Sequence, residues 1–134
     1  MTEAAEHEEA LIRAFFIPTK HTRYLEMIAT PKKREKFLRE LSHFKSLDSR
    51  HRYSLPKGIH SAEQIAGLLF QKGAPPTCWV TSEDDHMDGK QMLLSDVLRE
   101  IVGRQIGTLL SCIAGKLAYF EDEDDRWVLE RHSS

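Results

Sequence analysis

Long apolar runs, cysteines and a net charge of either sign are all scarce in this chain. Its apolar stretches, such as Ala66–Phe70, are short and interrupted, in that case by Gly67. A membrane-crossing helix needs ~20 apolar residues in succession, so no such span is expected. Two cysteines, Cys78 and Cys112, are too few for a disulfide framework. Both lie in apolar, strand-like runs, where a free thiol packs as a small hydrophobe. A single Cys78–Cys112 bridge fits the spacing, but a reducing compartment opposes it. The N-terminal run MTEAAEHEEALIR is acidic where a leader peptide is basic. These features together predict a soluble, cytoplasmic protein with no membrane association. A formal net charge of −2 excludes a uniformly basic nucleic-acid coat and an acidic disordered tail.

No internal repeat or low-complexity linker divides the 134 residues, a length that suits one domain, 1–134. Helices are expected over residues 3–16, with 1–9 frayed because only Leu11, Ile12, Phe15 and Phe16 are apolar enough to dock. A second covers 19–29. Thr30–Pro31 reads as an N-cap hydroxyl followed by proline at the first helical position, opening a third that runs to Phe44. Phe37, Leu38, Leu41 and Phe44 form its apolar stripe. After a loop over 45–60, Ser61-Ala-Glu-Gln64 fits a capping box, and Gly73 and Pro75–Pro76 end the fourth helix.

The period then changes. Residues 77–82 (TCWVTS) are β-branched and aromatic, and Asp88–Gly89 marks a turn. Ser95 is placed to cap a short helix ending at Val102. Strands are expected over 107–113, 117–121 and 126–131, the first two joined by Ala114–Gly115–Lys116. The fold class is therefore α+β. A helical N-terminal half of about four helices packs with a small C-terminal mixed four-stranded sheet of β-α-β-β-β order.

Catalytic and cofactor motifs are absent. Gly107 and Gly115–Lys116 have the wrong spacing for a phosphate loop, and Leu117 stands where Mg²⁺ needs a hydroxyl. Asp84-x-His86-x-Asp88-Gly89 mimics the start of a calcium loop, but Ser95 occupies the place of its bidentate glutamate. Glu40-x-x-His43 has di-metal spacing without the second copy such sites require. Cys112 sits mid-strand, where nothing lowers its pKa. No cofactor, metal site or catalytic residue is expected.

Charge is distributed unevenly. Residues 20–57 hold 11 Lys/Arg against 4 Asp/Glu, or +7; residues 1–19 hold 1 against 4, or −3; residues 58–134 hold 7 against 13, or −6. Lys32, Lys33, Arg34 and Lys36 crowd a helix start, where the macrodipole is already positive and a bound anion would relieve them. Arg50 and Arg52, with Tyr53 as a stacking surface, add a second basic cluster. The same cations also suit a solvated face, or pairing with the acids of 121–125.

Three functions compete on this basis. The first is a small binding or regulatory module for an anionic partner, nucleic acid or an acidic protein surface, held by Lys32, Lys33, Arg34, Lys36, Arg50, Arg52 and Tyr53. The second is a small enzyme around the acidic loop of Glu83, Asp84, Asp85, His86 and Asp88. The third is a self-association module, a homodimer through a sheet edge at 126–131.

Overall fold

The computed structural model describes residues 2–132. Four helices precede most of the strands: α1 (Glu3–Phe15), α2 (His21–Ile28), α3 (Pro31–Glu40) and α4 (Ala62–Gln71). Short 3-10 turns, Pro18–Lys20 and Leu41–His43, flank the α2–α3 pair. Strand β1 (Arg52–Ser54) lies between α3 and α4, and β2 (Thr77–Ser82), β3 (Gln91–Leu93), α5 (Leu94–Ile101), β4 (Thr108–Ile113), β5 (Leu117–Glu121) and β6 (Arg126–Glu130) follow.

Local chemistry sets several boundaries. The Thr2 hydroxyl accepts from Ala5 N and caps α1. The Ser61 side chain accepts from Gln64 N, and the Gln64 side-chain oxygen in turn accepts from Ser61 N, a complete capping box. Gly73, at φ +102°, supplies the left-handed residue that ends α4. Thr30 and Ser95 do not cap. Pro31 opens α3 without a bond from the Thr30 hydroxyl, and α5 starts one residue before Ser95, with Leu93 at its N-cap. The segment expected to fray is helical from Glu3, and His7 and Glu8 both bond to the sheet.

The sheet corrects the expected four mixed strands. Among the described residues it has six strands in the order β1-β6-β5-β4-β2-β3, and every neighbouring pair is antiparallel. Strands β3 and β4 run the same way because each is antiparallel to β2, which lies between them. Helix α5 therefore makes a crossover, but between strands that are not hydrogen-bonded to each other. Strand β6 is interior: β1 pairs on it through Arg52–Leu129, Tyr53–Val128 and Ser54–Trp127. The edges are β1 and β3, not 126–131.

Alternation along the strands divides the core in two. Leu109, Ala118, Phe120 and Leu129 face α1, α2 and α3; Cys78, Val80, Leu110, Cys112, Leu117, Tyr119 and Val128 face α4 and α5. On the first face Phe16, Tyr24, Phe37, Phe44 and Phe120 interlock with ring centroids 4.9 to 6.4 Å apart. That aromatic cluster docks α2 against α3 and orients the polar surface above it.

Candidate anion-binding site

The basic segment splits into residues with internal partners and residues without. Arg34 belongs to the first kind. Its guanidinium pairs with Glu8 of α1 and with both oxygens of Asp88, at 2.9 and 3.1 Å. Glu8 also accepts from the Thr81 hydroxyl at 2.8 Å, and Asp88 from Ser82 N at 3.0 Å. Arg34 thus ties α1, α3 and the β2–β3 connection together. Arg50 bonds through Nε and Nη2 to Asp48, at 3.1 and 2.7 Å. Its hydrogen bonds hold the Asp48 carboxyl down to about 2. Arg52 lies over the Trp127 ring, 4.6 Å from its centroid, and exposed Tyr53 meets His132. These three occupy the β1 edge of the sheet.

Lys32, Lys33 and Lys36 are exposed and, among the described residues, make no ion pair. Lys32, Lys36, Arg39 and His43 fall at i, i+4, i+7 and i+11, opposite the buried Phe37, Leu38 and Leu41. Lys32, Lys36 and Arg39 form a cationic stripe about 10 Å long at 1.5 Å per residue along α3, and His43 follows it on the 3-10 turn. The stripe leads into a groove of ≈ 330 Å³ lined by Lys20, Arg23, Arg39, Lys45, Glu40 and His43, with Tyr24 and Ser46 among its lining residues. Of its four permanent cations, Arg23 pairs with Glu40 and Arg39 with Glu35 at 3.5 Å, whereas Lys20 and Lys45 make no ion pair among the described residues. Lys20, Arg23, Arg39 and Lys45 are not apparent as a site in the sequence, because α2–α3 docking unites positions far apart in the chain. The block charge of 20–57 was the one available signal.

The Glu40-x-x-His43 spacing does not make a metal site. Glu40 turns to Arg23 and Tyr24, while His43 turns to Glu123 at 2.9 Å and Asp124 at 3.1 Å. The hydrogen bond to Asp124, then the charge of Glu123, raise the His43 pKa. Asp122 holds this acidic turn in place: Oδ1 accepts from Asp124 N and Asp125 N, and Oδ2 from Phe44 N. The acids of 121–125 therefore meet His43, just past the stripe, not 32–36 or 50–52.

The acidic loop is largely occupied with its own structure. Glu83 accepts from Gly107 N at 2.6 Å, Asp84 accepts from His86 N at 2.8 Å and forms an ion pair with Arg104 at 3.4 Å, and Asp88 accepts from Arg34. Asp85 and His86 are exposed. Among the described residues no group of three His, Cys, Asp or Glu is placed to hold a metal.

Two nucleophile pairs lie inside the fold. The β2–β4 register, Trp79 opposite Ser111, brings Cys78 opposite Cys112 one step further on. Burial pushes the Cys112 thiol up to about 12 and raises that of Cys78 as well, so neither forms a thiolate near neutrality. Beneath α1, His7 Nδ1 lies 2.7 Å from Ser111 Oγ, with Glu3 4.0 Å from Nε2. Sequence spacing concealed this pair. Ser111 is 1% exposed, however, and a nucleophile needs substrate within reach, so the bond serves to moor α1 on the sheet.

No protein family, curated protein or solved structure matches this chain.

Proposed function

We propose that this protein is a binding module for an anionic macromolecule, nucleic acid first, held by the α3 stripe and the groove at its end. The observation that carries this reading is the one-sided row Lys32–Lys36–Arg39, which keeps lysines without internal partners on a chain whose net charge is −2. Clustered cations on one face attract phosphate and release its counterions, which gives strongly salt-dependent affinity. Arg34, Arg50, Arg52 and Tyr53 are outside this surface because their contacts lie elsewhere.

Fluorescence anisotropy with a labelled, mixed-sequence single-stranded oligonucleotide tests it. Affinity should fall as salt rises. Lys32→Glu combined with Lys36→Glu should weaken binding at least about tenfold at low salt and flatten the salt slope by ~0.7 per lost phosphate contact. No binding by the parent protein, or an unchanged slope in the double variant, removes the proposal.

A further inference from the structure

Glu40 stands where an anion in the groove would stand. Its carboxylate accepts from Arg23 Nη2 at 3.1 and 3.3 Å and from the Tyr24 hydroxyl at 3.2 Å. A phenol has one proton, and this one goes to Glu40. The Ser46 hydroxyl, 2.9 Å away, must then donate to the Tyr24 oxygen. Tyr24 and Ser46 are both buried, and the Tyr24 ring is wedged among Phe16, Phe37 and Phe44. The donor relay is therefore fixed by packing and aimed at one point. Lys20, Arg39 and Lys45 line the same groove. Arg39 is paired with Glu35 at 3.5 Å and His43 with Glu123 and Asp124. The lysines Lys20 and Lys45, which make no ion pair among the described residues, are therefore the cations left for a second anion beside Arg23.

We propose that this groove is a phosphomonoester subsite in which Glu40 is an internal placeholder, displaced when a terminal phosphate arrives. A phosphomonoester brings about −1.5 to −2 of charge and three acceptor oxygens, enough to take over the Tyr24 and Arg23 donors and engage the lysines. The inference rests on the polyanion reading, since a strand lying along Lys32–Lys36–Arg39 presents its end at this groove. It adds that the end, and not the chain of diesters alone, is recognised.

The test compares oligonucleotides of one sequence with a 5′-phosphate or a 5′-hydroxyl, together with inorganic phosphate followed by amide chemical shifts. The parent should favour the phosphorylated end about tenfold, as expected for two or three charge-assisted hydrogen bonds. Glu40→Gln keeps an acceptor for Tyr24 but removes the competing charge, so it should widen the preference roughly threefold or more. Arg23→Ala with Lys45→Ala should abolish the preference and weaken binding of both oligonucleotides, the phosphorylated one more. Equal affinity for the two ends, or a preference that Glu40→Gln leaves unchanged, overturns the subsite but not the polyanion reading. If neither oligonucleotide binds yet phosphate shifts the Ser46 and Lys45 amides, the subsite stands and the polyanion reading falls. With no shift either, both fall.

Discussion

Gly107 shows how a single residue can be required for reasons unrelated to backbone freedom. A Cβ built there would overlap the backbone and side chain of Leu41, on the turn that follows α3. The close approach lets the start of β4 slide under that turn, and Gly107 N also donates to Glu83. Gly107→Ala should lower stability by about 1–3 kcal/mol, the usual cost of forcing bulk into a packed site, read as a fall in urea midpoint at constant slope. Asp48 works through charge. Its carboxyl is held at about 2 by Arg50, against an ordinary 3.8, so the folded state favours the ionised form. The stabilisation is complete above the unfolded pKa and disappears as pH falls through about 2. The urea midpoint of the parent should therefore drop between pH about 4 and about 2, and Asp48→Asn should lack this component of the acid loss.

At the scale of elements, what was legible was local. Helix α4 carries its own cap, stripe and stop, and the β4–β5 hairpin its own turn, so both could be located from adjacent residues. Strands β1 and β3 have three residues each, too short for a period to show, and β1 exists because Trp127–Leu129 offers it a ladder from the far end of the chain. The mixed-sheet expectation failed for that reason. The candidate site was legible to the same extent: the charge block marked the segment that lines the groove, whereas pairing decided which of its cations remain free. Arg34 could not be told from its free neighbours in the sequence, since its partners Glu8 and Asp88 lie 26 positions before and 54 after it. Arg34→Ala leaves two mostly buried carboxylates without their cation and should cost about 2–4 kcal/mol. Adding Glu8→Gln should recover part of that loss, and the coupling is measurable as a double-mutant cycle in chemical denaturation.

On the scale of the whole molecule, the sheet is shared between two cores that do not mix. The helices α1, α2 and α3 cover one face, α4 and α5 the other, and each of β4, β5 and β6 gives alternate side chains to both. Loss of either helical layer would expose half the side chains of those strands and leave the remaining layer on an unsupported sheet. Unfolding should therefore be a single cooperative event. The sequence supplies independent reporters for the two sides. Trp127 packs against the α1–α3 core, and Trp79 lies near His7 of α1, while Cys78 and Cys112 are sealed in the α4–α5 core. Tryptophan fluorescence and thiol labelling across a urea gradient should give coincident midpoints, with no labelling in the native baseline. A labelling transition at lower urea than the fluorescence change would mean that the α4–α5 layer opens alone. The basic surface, built wholly on α2, α3 and their flanking turns, would then remain formed on a partly opened protein, and anion binding would survive that first step. Coincidence instead ties the stripe and the groove to the integrity of the far core, so a cavity there, such as Leu98→Ala, would raise the fraction unfolded and weaken binding by that fraction only.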